Sequence, residues 1–230
     1  MNTVEVAIRP CSSHARSWSL MPLSPQEWSE RFNRALDITL ALLALAFLAP
    51  LLLIIALIIR SSDGQRALFA QIRVGRGGRA FECFKFRTMV VDADAKLTSL
   101  LARDPIARAE WEIDHKLRND PRITRFGRFL RKSSLDELPQ LINVLRGDMS
   151  LVGPRPIVVG EIGRYKSYYR HYCSMRPGIT GLWQVSGRNN VSYRRRVACD
   201  VLYSRRRSVG VNVRIMAATI PAVAMAKGSF

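Results

Sequence analysis

The chain has 230 residues, 48 % of them hydrophobic, enough for one compact domain with an accessory segment and too apolar for a disordered chain. Lys and Arg number 36 against 18 Asp and Glu, a net charge of +18, which calls for an anionic partner: nucleic acid, an anionic membrane surface or a phosphorylated substrate. The four cysteines (Cys11, Cys83, Cys173, Cys199) form no C-x-x-C and the three histidines (His14, His115, His171) have no second ligand at metal spacing, so free thiols in a reducing compartment are expected rather than a Cys/His metal centre.

Residues 1–30 carry Pro10, Pro22 and Pro25 with several serines. They lack both apolar periodicity and the apolar core of a signal peptide, and read as a flexible tail. From Ile38 to Ile59 no charge interrupts the chain. A run of about 22 apolar residues can cross a ~30 Å hydrocarbon layer. Arg31 and Arg34 precede it, and Arg60, Arg66, Arg73, Arg76 and Arg79 follow, so both ends claim the cytoplasmic side. Pro50 lies in the middle, where a proline removes a helix hydrogen bond and bends the axis. A re-entrant helix over residues 31–60 that enters the membrane and returns to the same face is expected, with a cytoplasmic domain over 61–230.

Ala67–Val74 and Arg79–Phe86 read as two strands joined by a Gly75–Gly78 turn. Phe84-Lys85-Phe86-Arg87-Thr88-Met89 mixes aromatics with cations but lacks the glycine-containing aromatic pattern of an RNA-binding strand, and the apolar run has no place in a nucleic-acid-binding protein. Asp92 to Arg118 predicts surface helices with a break at Asp104-Pro105. Asp120-Pro121 predicts another helix start. Its apolar side is Ile123, Phe126, Phe129 and Leu130, with Arg122, Arg125, Arg128 and Arg131 mainly off it, a pattern that suits either a membrane surface or a solvated face.

Ser133 to Gln140 places two adjacent carboxylates, Asp136 and Glu137, in the expected first turn of a helix. Leu138, Leu141, Ile142 and Leu145 give it an apolar face and Gly147 closes it. Ser134 and Glu137 have capping-box spacing, and acids suit a helix N-terminus. The flanking arginines also suit phosphate. Beside phosphate, a carboxylate serves as a nucleophile or as a ligand for Mg²⁺. Downstream, Pro154 and Pro156 stiffen the chain around Arg155, which suits bidentate phosphate recognition. Arg176–Asn189 reads as a glycine-rich loop with a short strand. Two triple-arginine runs, Arg194–Arg196 and Arg205–Arg207, favour an anionic bilayer surface. The apolar segment Ile215–Ala226 is too short to span one.

Four of these pieces in this order resemble the bacterial sugar transferase family, the monotopic phosphoglycosyl transferases. They are Lys85–Met89, Ser134–Gln140, Arg146–Pro156, and Arg176–Gly181 with Gln184 and Gly187–Asn189. The tail around Thr219–Val223 is similar to the exopolysaccharide-initiating subgroup that uses galactose-1-phosphate. The resemblance implies an α+β fold: a re-entrant membrane helix broken at Pro50, a small β-hairpin, and a mainly helical catalytic domain with amphipathic helices on the membrane. It implies a UDP-sugar donor, an undecaprenyl phosphate acceptor, Mg²⁺, and a place in the bacterial inner membrane at its cytoplasmic face. Nucleic acid is not an implied partner; a second copy and other polysaccharide assembly proteins are. It implies Asp136 as nucleophile and Mg²⁺ ligand, Glu137 as its acid–base partner, and Lys85, Arg87, Arg155, Arg188 and Asp200 as substrate- and phosphate-binding groups. Two departures stand out. Ala49 precedes Pro50 where a serine is common, and Arg206–Val213 lacks the usual acidic residue, which puts the docking of the C-terminal helix in doubt. An inactive membrane-anchored scaffold of a polysaccharide assembly complex is the alternative that this second departure raises.

Overall fold

The computed structural model describes residues 25–114, 117, 119–187 and 191–224. Helix α1 runs from Pro25 to Asp63. Pro25 takes its first position, where a missing N–H costs nothing. The expected tail therefore ends before Pro25 and not at Glu30; residues 1–24 lie outside the described residues. Pro50 does not end the helix: α1 is helical on both sides of it, because the leucine-rich turns that flank it keep helical torsions while one hydrogen bond is lost.

The inward face of α1 recurs every three to four residues, at Asp37, Ala41, Leu45, Leu52, Ile55 and Ile59. Before Pro50, Ala41 and Leu45 pack with Leu141, Val144 and Met149. After it, Ile55 and Ile59 pack with Phe86 and Leu130. Both arms thus rest on one body. Polar anchors fix the first arm. Arg34 donates to the carbonyls of Val144 and Leu145, at 2.7 and 3.2 Å. Asp37 accepts from the Ser150 hydroxyl and the Leu151 N–H, at 2.7 and 3.0 Å. The outward face is different. Leu42, Leu43, Phe47, Leu53, Ile54 and Leu57 are each more than half exposed. In water that forfeits on the order of 10 kcal/mol of burial, so this is no core helix of a soluble protein; it is long and apolar enough to cross a bilayer.

Strands β1 (Leu68–Val74) and β2 (Ala80–Phe86) pair antiparallel from Leu68↔Phe86 to Val74↔Ala80. Gly77 and Gly78 adopt φ of 72° and 77° in the turn, which favours glycine. The free edge of β2 is closed by Asn143: its side chain accepts from the Phe84 N–H and donates to the Glu82 carbonyl, at 2.9 and 2.6 Å. Asn143 is fully buried on helix α5 (Gln140–Arg146), so one side chain locks that helix to the hairpin. Gly147 follows at φ 92°, the expected left-handed cap.

Helices α2 (Ala93–Arg103) and α3 (Pro105–Asp114) form the expected surface pair, with Asp104 capping α3 through the N–H groups of Ile106 and Ala107. Asp120-Pro121 starts no helix. The Asp120 carboxylate is taken by Arg122, through its N–H and guanidinium, and α4 (Arg125–Ser133) starts behind Thr124, whose hydroxyl accepts from the Gly127 N–H. With that shift, Leu130 is buried while Phe129 faces out beside Arg125, Arg128 and Lys132.

Strands β3 (Ser150–Val152) and β4 (Gly178–Thr180) pair in parallel. Gly153 and Gly178 let the two chains touch backbone to backbone; a Cβ on Gly178 would lie 2.0 Å from the Gly153 nitrogen. Short helices α6 (Ile162–Tyr165), α7 (Tyr169–Cys173) and α8 (Leu182–Val185) follow, then α9 (Tyr193–Arg206) and α10 (Val209–Ala224). Tyr172 ties α7 to the hairpin base by donating to the Val74 carbonyl at 2.6 Å. α10 docks despite the missing acid. Asn212 accepts from the Tyr203 hydroxyl at 2.8 Å and donates to Asn33 of α1 at 2.9 Å, and Ile215 is buried against Val152 and Met175. The neutral amide does the joining.

Candidate active site

α4 ends at Ser134, which sits in the left-handed region at φ 58°. That conformation costs a non-glycine residue about 1 kcal/mol, and it turns the chain sharply toward the hairpin. Leu135–Glu137 then forms one 3₁₀ turn, and α-helical structure resumes only at Gln140. The expected α-helix starting at Asp136 is thus split in two. The expected capping box is absent as well. The Ser134 side chain makes no capping bond, because Glu137 is drawn across to β2 by Lys85.

The turn lines a cleft of about 970 Å³. Lys85 Nζ donates to Glu137 Oε1 at 2.6 Å, and Arg155 approaches the same oxygen at 3.6 Å. Burial alone would push the Glu137 carboxyl up, but Lys85, Arg155 and Arg73 outweigh it and hold it at about 2. Asp136 next door behaves oppositely. It is 8 % exposed. Burial first, and the Glu137 charge second, push it up to about 6 against Lys85, Arg131 and Arg155. Among the described residues no hydrogen bond ties it down. One carboxylate is a fixed charge that orients Lys85. The other is unengaged, more basic, and faces the cleft, which suits a nucleophile.

Arg155 is 43 % exposed, against 19 % for Lys85. Its loop is steadied from below, where Arg73 donates to the Pro156 carbonyl at 3.0 Å. Arg87 lines the cleft, but its guanidinium grips both oxygens of Asp63, each at 2.6 Å, and its Nε donates to the Arg66 carbonyl. This ties the end of α1 to the end of β2 while leaving Arg87 in the cleft lining. Arg188 lies outside the described residues. Asp200 does not line the cleft. It is 2 % exposed within the core and accepts from the Tyr165 hydroxyl at 2.7 Å, so it braces α9 against α6. Pro50 lies on the membrane helix, away from the cleft.

Of the cleft-lining residues Arg73, Arg131, Thr180 and Gln184, sequence reasoning named Arg131 among the flanking arginines that suit phosphate and Thr180 and Gln184 within the family motif, but gave Arg73 no place in the site. Arg131 counted among residues off the apolar side of its helix, and its inward turn follows from the later start of α4; its Nε donates to the Thr88 hydroxyl at 2.9 Å. Arg73 and the cleft residue Gln71 alternate with Ile72 on β1, and a period-2 reading of that strand could have found both.

No group of three or more His, Cys, Asp or Glu able to hold a metal occurs among the described residues. A carboxylate without a hydrogen-bond partner, such as Asp136, still fits Mg²⁺, which keeps several waters and is held by one or two carboxylates plus substrate phosphates.

The family pattern described as bacterial sugar transferase matches residues 28–226. The chain is 49 % identical over 203 residues to the undecaprenyl-phosphate galactose phosphotransferase of Salmonella typhimurium, covering 88 % of this chain and 42 % of that protein. It is 46 % identical over 198 residues to the exopolysaccharide production protein ExoY of Rhizobium meliloti, covering 86 % and 88 %. It is 40 % identical over 199 residues to the UDP-glucose:undecaprenyl-phosphate glucose-1-phosphate transferase of Caulobacter vibrioides, covering 83 % and 69 %. The chain thus spans less than half of the length of some relatives and most of ExoY.

Proposed function

The chain belongs to the bacterial sugar transferase family, and from that premise we propose that it transfers a hexose-1-phosphate, galactose-1-phosphate first among the candidates, from a UDP-sugar to undecaprenyl phosphate. The observation that carries this reading is Asp136: a basic, unengaged carboxylate in a cleft of about 970 Å³ beside Lys85, Arg131 and Arg155. Asp136 attacks the β-phosphorus of the donor. The bond from that phosphorus to the bridging oxygen breaks and UMP leaves with the electron pair. An oxygen of the acceptor phosphate then attacks the same phosphorus and the Asp136 carboxylate departs, ready for another cycle. Arg155 and Arg131 offset charge on the transferring group, the main demand of phosphoryl transfer. Lys85, held by Glu137, keeps its ammonium at the cleft without the freedom to wander. Asp136 would hold Mg²⁺ together with the donor phosphates, and the ion would supply further charge neutralisation.

The acceptor is a long-chain isoprenoid phosphate that stays in a bilayer, which accounts for the exposed apolar face of α1. Both arms of α1 rest on the same polar body, so we read the helix as entering and leaving at the cytoplasmic face of the inner membrane. Galactose is favoured by the more similar Salmonella relative, whose name specifies it; the Caulobacter relative is named for glucose. The test is UMP release by nanodisc-held protein with Mg²⁺ and undecaprenyl phosphate, across UDP-galactose, UDP-glucose and their N-acetyl forms. Release with UDP-galactose that depends on acceptor is expected. No release with any donor, from folded and membrane-bound protein, overturns the reading in favour of the scaffold.

A further inference from the structure

The cleft lining is graded. Around the foot of α1 and the start of α2 it mixes charged and polar groups, Gln65, Arg66, Arg87, Thr88 and Asp94, with Met89, Val90 and Val91. At the other end, β4, α8 and α10 contribute Ile179, Trp183, Val185 and Ala222. Thr180 and Thr219 bond to each other there at 2.7 Å, which pins α10 to the cleft rim. α10 has two apolar sides. Its inner seam passes through Val211, Ile215, Thr219 and Ala222, spaced four, four and three residues apart, from the core to the cleft. Its outer side, Ala217, Ala218, Ile220 and Pro221, is exposed, with Ile220 at 73 %. Arg214 stands exposed one turn earlier, where a cation can reach a headgroup from an interfacial helix. One side of a single helix therefore presents apolar surface to the outside while the other forms the wall of the cleft that holds Asp136.

We propose that the α10 end of the cleft is the entry and binding wall for the isoprenoid chain of the acceptor, and that the polar end receives the nucleotide sugar. The proposal rests on the transferase reading above. Two chemically unlike substrates must reach one carboxylate, and a chain that cannot leave the bilayer needs continuous apolar surface from lipid to the reacting phosphate. α10 supplies it, with no charged group among the cleft-lining residues of β4, α8 and α10, whereas Arg66, Arg87 and Asp94 interrupt the apolar residues at the other end. A competing route exists at Leu68 and Phe69, which also line the cleft and are 46 % and 50 % exposed.

Two measurements decide between them. Ala222→Trp narrows the α10 end. It is expected to raise the KM for undecaprenyl phosphate about tenfold or more while the KM for the UDP-sugar changes by less than about twofold, the signature of lost binding to one substrate only. An unchanged acceptor KM, or an equal rise for both substrates, overturns the proposal. The second measurement places a benzophenone amino acid at 222 or at 69 in otherwise unaltered, membrane-held protein and irradiates it with radiolabelled undecaprenyl phosphate. Capture at 222 supports the proposal, and capture at 69 alone overturns it. Failure of the unaltered protein to release UMP would instead remove the transferase reading itself, so the two failures are distinct.

Discussion

Asp136 and Asp200 are both buried, both lie near arginines, and both have carboxyls pushed up by burial, to about 6 and about 7. Their settings differ. Asp136 sits on a single 3₁₀ turn after a left-handed serine, opens on a cleft, and has no hydrogen-bond donor among the described residues. Asp200 sits in the middle of α9 and receives the Tyr165 hydroxyl, which has no exit to solvent. A raised carboxylate is therefore not in itself a reactive one. What distinguishes Asp136 is access and the lack of a partner among the described residues; the same burial in a closed core yields a brace.

That contrast can be broken most severely at Asp136. Asp136→Asn keeps the shape of the side chain and removes the proposed nucleophile, so UMP release should fall by about 10³-fold or more, with the melting temperature unchanged or slightly higher. Glu137→Gln should cost roughly 10²-fold in the same assay, because Lys85 loses the charge that holds it at 2.6 Å. The pH profile sharpens the comparison further. Attack needs the Asp136 carboxylate, so the acid limb of the rate should fall about tenfold per pH unit below about 6. Glu137 raises the Asp136 carboxyl and Lys85 lowers it, so whatever activity remains in Glu137→Gln should have its acid limb displaced to lower pH.

Asp200 predicts effects on stability in place of rate. Its folded carboxyl lies near 7, against about 4 in an unfolded chain. The folded state therefore holds a proton that the unfolded state has released, and the contribution of this group to stability declines as pH rises from about 4 to about 7. Asp200→Asn should flatten that part of the melting curve, raise the melting temperature at pH 8, and leave turnover within about threefold, while Asp200→Ala should lose about 1–3 kcal/mol by orphaning Tyr165. The smallest effect belongs to the helix junction. Asn33→Ala should cost about 1 kcal/mol in denaturant unfolding, one hydrogen bond between α1 and α10.

The hairpin, the α2–α3 break and the Gly147 cap were all legible, because each depends on local chemistry: alternation, a proline beside an aspartate, and a glycine at positive φ. What was misjudged depends on distant partners. Asp120 looked like a helix cap until Arg122 claimed it. Ser134 and Glu137 looked like a capping box, but Lys85, some fifty residues earlier, outbid the local backbone. Arg87 and Asp200 came with the resemblance; one pairs with Asp63 and the other with Tyr165, and neither pairing leaves a mark on spacing. Arg73 reached the cleft unannounced for the same reason. Asn212 is the reverse case: a departure that looked damaging is accommodated by Tyr203 and Asn33, which only the fold brings together.

The central claim is that Asp136, and no other group, takes the sugar-phosphate. Intact and peptide mass spectra after incubation with UDP-galactose and Mg²⁺, in the absence of acceptor and with acid quench, test it directly. The account predicts the mass of one hexose-phosphate on the peptide that contains Asp136, lost on addition of undecaprenyl phosphate and absent from Asp136→Asn. An unmodified Asp136 peptide in protein that turns over normally once acceptor is present would contradict it and point to direct transfer between the two substrates.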